Sequence, residues 1–275
     1  MLSAGPIGVF DSGYGGLTVL KEIVSRLPQY DYLYLGDNAR SPYGTRSFET
    51  VYQYSLQAVR WLFSQGCPLV IIACNTASAK ALRTIQQKDL PHLDGQRRVL
   101  GIIRPVTEVI GHYTKTGHVG IFGTPGTVAS ESYVIEIKKF FPSLTVIQEA
   151  CPIWVPLVEC FEHETEGADF FVKKHIDNLF ARDPQVDAVV LGCTHYPLLM
   201  NSITKFIPSH IHLVVQGKIV AESLENYLQR HPEIRQKLST GGTLHFYTSE
   251  MADVFEQYAA VFFGQSLKAQ TVHLQ

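Results

Sequence analysis

The chain of 275 residues is 45% hydrophobic, so it can bury one large core or two cores of ordinary domain size, and two domains is the preferred interpretation. Lys and Arg number 23 against 25 Asp and Glu, with no long block of one sign, so charge gives no reason to expect nucleic acid or an anionic membrane as a partner. The start, MLSAGPIGVF, lacks a basic segment followed by a long apolar one, and no apolar run approaches the roughly 20 residues that span a bilayer, so a cytoplasmic protein is expected.

Short β-rich runs alternate with segments of helical period along the chain. Nine runs predict strands, at residues 7–10, 32–35, 69–73, 99–103, 119–122, 144–148, 188–191, 212–215 and 244–247. Apolar residues at helical spacing follow two of them, at Leu20, Ile23, Val24 and Leu27 and again at Ala81, Leu82 and Ile85. Parallel strands need crossovers, usually helices, so the alternation predicts an α/β fold with mainly parallel sheets.

A weak internal repeat connects the two halves of the chain. IGVFDSGYGGLTVLKEI (7–23) is similar to VGIFGTPGTVASESYVI (119–135), and LVIIACNTAS (69–78) is similar to AVVLGCTHYP (188–197). Apolar strands resemble one another by chance, but here a cysteine ends the strand in both copies of the second pair. The repeat predicts two related α/β domains that present Cys74 and Cys193 to one cleft.

Cys74 and Cys193 both stand at predicted strand ends, where open α/β sheets bind ligands. Each is followed by residues suited to start a helix, and a thiol near a helix N-terminus tends to have a lowered pKa. Buried packing is the alternative for any single free cysteine. Two cysteines in matching frames favour chemistry instead.

The other three cysteines are expected to pack rather than react. Cys67 precedes a strand, and Cys151 and Cys160 flank a proline-bounded segment. An odd total of five scattered cysteines does not predict a disulfide scaffold. No C-x-x-C pair exists, and Cys193 and His195 lack the usual ligand spacing, so no metal is expected.

Polar loops after other predicted strands supply further candidates. DSGYGG (11–16) is neither a dinucleotide-binding nor a Walker A motif, and Asp11 either caps a helix or orients a ligand or thiol. Tyr43 lies in the loop GDNARSPYGTRS (36–47), and Thr124 and Thr127 lie in the second-half loop that matches DSGYGG. His195 is a candidate proton partner of Cys193, because its unperturbed pKa lies near neutrality.

These motifs together resemble the glutamate racemases, cofactor-independent enzymes of the aspartate/glutamate racemase superfamily. The resemblance runs through FDSGYGG (10–16), GDNARSPYG (36–44), ACNTAS (73–78), IFGTPGT (121–127), CPIWVPLVE (151–159) and LGCTHYPLL (191–199). It implies two α/β domains with pseudo-twofold symmetry, residues 1–98 plus 211–275 and residues 99–210, with the amino-acid site in the cleft between them. No lysine lies in these motifs to carry pyridoxal phosphate, and no cofactor is expected.

The resemblance also implies roles for particular residues. Cys74 would take the α-proton from D-glutamate and Cys193 from L-glutamate. Asp11 and Asn75 would support the first thiol, and Glu159 and His195 the second. The substrate contacts would come from Asp11, Ser12, Pro42, Tyr43, Gly44, Asn75, Thr76, Thr124, Thr127, Thr194 and His195.

Two positions depart from the pattern of the resembled family. Arg104 stands where relatives often carry an acidic or smaller residue, and Gln216-Gly217 stands where an Asp-Ser-Gly type of sequence is common. Neither position is among the expected proton-transfer residues.

The expected activity is interconversion of L- and D-glutamate, which supplies D-glutamate to peptidoglycan synthesis. The alternatives are another amino acid as substrate, aspartate first, a cysteine hydrolase that uses Cys193 with His195, or an amino-acid-binding regulatory protein with little catalysis. The expected partner is the glutamate substrate, with no nucleic acid and no membrane, and a homodimer is allowed for.

Overall fold

The computed structural model describes residues 4–274 of the chain. The strands in this part of the chain are β1 (Ile7–Asp11), β2 (Tyr32–Gly36), β3 (Leu69–Ile72), β4 (Arg98–Gly101), β5 (His118–Gly123), β6 (Thr145–Ala150), β7 (Ala188–Gly192), β8 (His212–Val214), β9 (Leu244–Thr248) and β10 (Ala269–Thr271). All nine predicted strands are present, with ends within two residues of the prediction. Strand β10 was not predicted, because its three residues, AQT, are partly or fully exposed and form no apolar run.

Helices connect the strands. They are α1 (Gly16–Arg26), α2 (Phe48–Ser64), α3 (Asn75–Lys80), α4 (Leu82–Thr84), α5 (Leu90–Leu93), α6 (Ile103–Thr107), α7 (Pro125–Ala129), α8 (Ser132–Phe140), α9 (Trp154–Glu159), α10 (Glu166–Arg182), α11 (Met200–Phe206), α12 (Gln216–Arg230), α13 (Pro232–Arg235) and α14 (Ala252–Phe263). Short 3₁₀ turns span Asn38–Arg40, Ile110–His112 and Tyr196–Leu199, and a π-helical turn spans Ile85–Asp89.

The strands form two parallel sheets. One has the strand order β10-β9-β2-β1-β3-β4, and the other has the order β6-β5-β7-β8. Every paired neighbour runs parallel, which confirms the predicted fold class.

The internal repeat is visible in the connectivity of the sheets. The order β2-β1-β3-β4 in the first sheet matches β6-β5-β7-β8 in the second, so β1 corresponds to β5 and β3 to β7. These are the strand pairs whose sequences were similar. The segment after β8 returns to the first sheet and adds β9 and β10 to the edge at β2.

The sheets divide the chain differently from the expected boundaries. Strand β4 is hydrogen-bonded to β3 of the first sheet, although the boundary at 99 assigned most of it to the second domain. Strand β8 is hydrogen-bonded to β7 of the second sheet, although the boundary at 211 assigned it to the first domain. A short apolar strand does not reveal which sheet it joins, because the pairing is long-range. We propose that the domains divide just after β4 and just after β8.

Helix α1 forms one side of the first domain. Leu20, Ile23 and Leu27 face inward and are almost fully buried, and Val24 packs against the same core at partial exposure, as the helical spacing predicted. Helix α12, which starts directly after β8, packs along α1. The cluster of buried apolar side chains is continuous from α1 to residues of the second domain such as Phe122.

Within residues 4–274, no helix combines the length and the apolar character needed to cross a membrane.

The packing of α1 predicts a large effect of truncating its central leucine. Leu20 is 0% exposed, so Leu20→Ala leaves a cavity and should lower the free energy of unfolding by about 2–5 kcal/mol. The neighbouring Lys21 is exposed, and Lys21→Ala on the same helix should change it by less than about 0.5 kcal/mol. Urea unfolding followed by circular dichroism measures both, and equal effects would contradict this packing.

Candidate active site

A small cavity of about 90 Å³ lies at the carboxyl ends of strands from both sheets. Its walls are the loops that follow β1, β2, β3, β5, β6 and β7. Most of the predicted site residues line it, namely Ser12, Pro42, Tyr43, Gly44, Cys74, Asn75, Thr76, Thr124, Cys193, Thr194 and His195. Both thiols therefore reach one cavity, as the repeat predicted.

Cys74 lies between β3 and α3 and is 5% exposed. Its Sγ accepts a hydrogen bond from the backbone N–H of Ala77 at 3.4 Å, which caps the start of α3. The hydroxyl of Ser12, at the end of β1, lies 3.4 Å from the same sulfur. The thiol is thus held by one group from its own helix and one from the neighbouring strand end.

The expected lowering of the pKa of Cys74 is wrong for this site. Burial raises the pKa of this thiol to about 12, and the charge of Asp11 raises it further, against the smaller opposing effects of Ser12 and Ala77 N–H. Loss of hydration penalises the thiolate more than one turn of helix can favour it, and α3 has only six residues. Cys74 is a neutral thiol at pH 7.

Cys193 has a charged partner instead. Its Sγ lies 3.8 Å from Nδ1 of His195, and Nε2 of His195 lies 2.9 Å from Oε1 of Glu159, at the end of α9. Burial alone would lower the pKa of His195, but the hydrogen bonds to Cys193 and Glu159 outweigh it and raise this pKa to about 10. The imidazolium then donates from both nitrogens, to the sulfur of Cys193 and to the carboxylate of Glu159.

Asp11 ends β1 and is 1% exposed, outside the cavity lining. Its Oδ2 accepts the backbone N–H of Gly13 at 2.9 Å and so stabilises the turn before α1, but α1 has Gly15 at its N-cap and no side-chain cap, so the predicted capping by Asp11 is wrong. Among the described residues, its Oδ1 has no hydrogen-bond donor. Burial raises the pKa of Asp11, while the charge of His195 and the N–H groups of Gly16 and Gly13 act in the opposite direction.

The DSGYGG loop touches the second domain directly. A Cβ at Gly15 would overlap Oγ1 of Thr194 and Nδ1 of His195. Thr18 of α1 donates its hydroxyl to the backbone oxygen of Thr194 at 3.0 Å. The glycine is therefore required for close approach to the loop of Cys193.

Three threonine hydroxyls meet across the cleft. Oγ1 of Thr76, after β3, lies 2.9 Å from Oγ1 of Thr124, which lies 3.1 Å from Oγ1 of Thr127. Thr124 also accepts the backbone N–H of Thr127 at 3.2 Å and so caps α7. Thr124 therefore caps the start of α7 and lines the cavity at the same time.

Tyr43 and Gly44 bring the loop after β2 to the same cavity. Tyr43 is 1% exposed and donates its hydroxyl to Asp37, and burial followed by the charge of Asp37 raises the pKa of this tyrosine. The carbonyl of Gly44 accepts the backbone N–H of Gly126 in the second domain at 2.8 Å. Tyr43 is thus a buried wall of the site rather than a surface residue.

Asn75 is hydrogen-bonded to two residues that the sequence did not assign to the site. Its Nδ2 donates to Oε1 of Gln216 at 2.7 Å, and its Oδ1 accepts from the hydroxyl of Tyr133 at 2.8 Å. Gln216 was noted only as a departure from the family pattern. Nothing in the local sequence of Tyr133 or Gln216 indicates this contact, because Gln216 lies 141 positions from Asn75.

Arg104 lies outside the cavity of the two thiols. It lines a second cavity, of about 580 Å³, whose walls include neither Cys74 nor Cys193. Its side chain is 68% exposed and pairs with Glu108 at 2.8 Å. This departure from the family pattern therefore does not alter the cavity of the two thiols.

The remaining cysteines are placed as follows. Cys67 is buried, and Cys160 is exposed next to Glu159. Cys151 is buried too but lines the small cavity, a position that the sequence did not predict, and burial raises its pKa well above the usual value. Across residues 4–274, His, Cys, Asp and Glu side chains form no group of three or more that could hold a metal ion.

Comparison with known proteins agrees with the fold. The family model described as Asp/Glu/Hydantoin racemase matches residues 7–221. A glutamate racemase of Geobacter metallireducens is 40% identical over 262 residues, which cover 95% of this chain and 93% of that relative. Crystal structures of glutamate racemases from Bacillus anthracis and Francisella tularensis, the latter in complex with D-glutamate, match with TM-scores of 0.89 and 0.87 at 33% and 30% identity, covering 98% of both chains in each case. The resemblance inferred from the motifs is confirmed, and the chain belongs to the Asp/Glu/hydantoin racemase family.

Proposed function

We propose that this protein is a glutamate racemase that interconverts L- and D-glutamate without a cofactor, with Cys74 and Cys193 as the two acid/base residues. The observation that carries the proposal is that two thiols from corresponding strand ends of the two sheets line one small cavity. Glutamate is the favoured substrate because the named relatives are glutamate racemases and the Francisella structure contains D-glutamate.

The reaction needs groups of this kind. Removing the α-proton of an amino acid gives a poorly stabilised carbanion, so the site must offer hydrogen-bond donors to the carboxylate and exclude water. Inversion then needs a base on one face of the α-carbon and an acid on the other. Thiols serve in both roles because their pKa can be shifted towards the working pH.

From L-glutamate, the thiolate of Cys193 takes the α-proton. The C–H bond breaks, an S–H bond forms, and the electron pair stays on the substrate next to its carboxylate. The S–H of Cys74 then breaks as its proton forms a new C–H bond on the opposite face, leaving a thiolate at Cys74. The reverse sequence converts D-glutamate.

The unequal surroundings of the two sulfurs suit this direction. His195 is charged at pH 7 and donates to Cys193, whereas burial keeps Cys74 protonated, so one base and one acid are available at once. The substrate carboxylate would be bound by the donors around the cavity, among them Ser12, Asn75 and Thr76.

Cys193, His195 and Glu159 also have the order of a nucleophile, a base and an orienting carboxylate in a cysteine hydrolase. This alternative gives no role to Cys74, which lines the same cavity. An acyl-enzyme on Cys193, detected by mass spectrometry, would support it.

The cellular role that follows is supply of D-glutamate for peptidoglycan, the role of this family. A cytoplasmic location is proposed because both site thiols must stay reduced, which the cytosol ensures. A homodimer is also proposed from the resemblance, and sedimentation velocity would test it.

The first test is hydrogen exchange. Incubation with L-glutamate in D2O should give both enantiomers of α-deuterated glutamate, measured by NMR and polarimetry. Aspartate in the same assay should react more slowly, because the relatives are named for glutamate. Absence of exchange with either enantiomer of either amino acid would reject racemase chemistry, and faster aspartate turnover would change the substrate.

The second test separates the two thiols. Cys74→Ala and Cys193→Ala should each lower net racemisation by at least about 100-fold, since each removes one acid/base group. Residual exchange without inversion should persist only for L-glutamate in Cys74→Ala and only for D-glutamate in Cys193→Ala. Cys67→Ala removes a buried thiol outside the cavity and should keep full activity, so equal losses in all three variants would refute the two-thiol assignment.

The third test concerns the pH dependence of the charged pair. The pKa of His195 is raised to about 10, so the charged histidine stabilises the fold fully below its ordinary value near 6.5, and this stabilisation is lost as the pH rises through about 10. Glu159→Gln should lower the pKa of His195 and the melting temperature at pH 6, with the two proteins converging above pH 10.

Histidine NMR titration and melting curves between pH 6 and 10.5 measure both effects. Glu162→Gln makes the same charge change at an exposed position three residues away and serves as the matched control. An unchanged histidine titration in Glu159→Gln would show that the carboxylate does not hold the charge on the ring.

A further inference from the structure

We infer that Gln216 and Tyr133 are positioning residues, which hold the side-chain amide of Asn75 in one orientation so that one of its N–H groups serves the substrate carboxylate. The inference rests on the proposed function, because it takes Asn75 as a carboxylate ligand. It assigns a role to the residue at which this chain departs from the family pattern.

The three side chains form a closed network of hydrogen bonds. Asn75 donates to Oε1 of Gln216 at 2.7 Å, and Gln216 donates back from Nε2 to Oδ1 of Asn75 at 3.1 Å. Nε2 of Gln216 also donates to the hydroxyl oxygen of Tyr133 at 2.5 Å, and that hydroxyl donates to Oδ1 of Asn75 at 2.8 Å. Asn75 is 2% exposed, Gln216 3% and Tyr133 0%, so water does not compete with these bonds.

The count of hydrogen-bond donors leaves one N–H group of Asn75 free. Both N–H groups of Gln216 are used, and Oδ1 of Asn75 accepts two hydrogen bonds, which is its capacity. Nδ2 of Asn75 has two N–H groups and donates one of them to Gln216. The second N–H is left for the cavity that Asn75 lines.

The same count couples the orientation of Asn75 to that of Gln216. Rotating the amide of Asn75 alone by half a turn would set its NH2 group against the Nε2 donor of Gln216, and buried donors without acceptors are costly. Burial raises the pKa of Tyr133, with the charge of Cys193 adding to it, so the tyrosine remains a donor. In this arrangement the cavity meets an N–H donor rather than the amide oxygen, which would repel a carboxylate.

The network also joins the two domains. Asn75 follows β3 of the first sheet, whereas Gln216 directly follows the turn after β8 of the second sheet and Tyr133 lies on α8, between β5 and β6. With the domains divided just after β4 and β8, Asn75 and Gln216 belong to the first domain and Tyr133 to the second, so one of the two partners of Asn75 reaches it across the boundary.

The experiment uses the full chain with Gln216→Met, which keeps the length of the side chain and removes its hydrogen bonds. Because Asn75 donates to the carboxylate in the ground state, and more strongly as negative charge builds up there during proton removal, KM for glutamate should rise about tenfold and kcat should also fall. Loss of folded protein would instead lower kcat at constant KM. Calorimetry should show the same tenfold loss of affinity for D-glutamate.

Tyr133→Phe removes a single oxygen and should raise KM about threefold, so the test survives if Gln216→Met does not fold. In an Asn75→Ala background, Gln216→Met should have no further effect, because it acts only through that amide. Gln86→Met, which removes an exposed glutamine whose side chain donates to the backbone carbonyl of Val99, outside the cavity of the two thiols, is the control and should leave KM unchanged. The two enantiomers have equal free energies, so kcat/KM must fall by one factor in both directions, which checks the data.

The possible outcomes distinguish the inference from the proposed function. A wild-type protein that racemises glutamate, with unchanged KM and affinity in Gln216→Met and Tyr133→Phe, overturns the inference and keeps the proposed function. Full additivity with Asn75→Ala also overturns it. An inactive wild-type protein whose glutamate affinity falls tenfold in Gln216→Met would reject the proposed reaction and retain the inference, and a protein that neither binds nor converts glutamate would overturn both.

Discussion

The carboxyl ends of parallel strands from two sheets meet at one cleft, and every residue of the candidate site depends on that constraint. A parallel strand delivers the residue after its last hydrogen bond to one edge of the sheet. Because β1, β3, β5 and β7 occupy corresponding places in the two sheets, the loops that follow them converge from opposite sides. The loops after β1 and β7 are so close that position 15 must be glycine, because a side chain there would overlap the loop of Cys193. The two thiols thus line one cavity from corresponding strand ends of the two sheets, as the proposed two-base mechanism requires.

The topology makes the thiols equivalent in position, but their surroundings make them unequal in charge. Cys74 is buried beside a carboxyl group, and loss of hydration keeps it protonated. Cys193 lies beside His195, which stays charged because its other ring nitrogen is hydrogen-bonded to Glu159. In the proposed mechanism, one turnover from L-glutamate leaves Cys193 protonated and Cys74 as a thiolate, and the high pKa of Cys74 favours its reprotonation. The two protonation states of the site therefore suit opposite directions of reaction, although L- and D-glutamate are equally stable.

Much of this could be predicted from the sequence, for local reasons. Short apolar runs between turn residues predict strands. A cysteine that ends such a run lies at the carboxyl end of a strand, whichever sheet that strand joins. The parts that could not be predicted are long-range. The local sequence of the short strands β4 and β8 does not show which sheet each of them joins, and β10 has no apolar pattern. The pKa of Cys74 depends on burial, which only the tertiary structure reveals. Gln216 looked like a deviation from a motif because its partners, Asn75 and Tyr133, are distant in the chain.

The completion of the first sheet by the end of the chain has a consequence for synthesis on the ribosome. The second sheet is built from β5 to β8, which are consecutive, so all of its strands have been made once residue 214 is translated. The first sheet begins at residue 7 but leaves the edge of β2 unpaired until β9, at Leu244–Thr248, has emerged. The domain that starts first therefore finishes last, contrary to the usual N-terminal-first order, and the edge of β2, which could pair with another chain, stays open until β9 has been made.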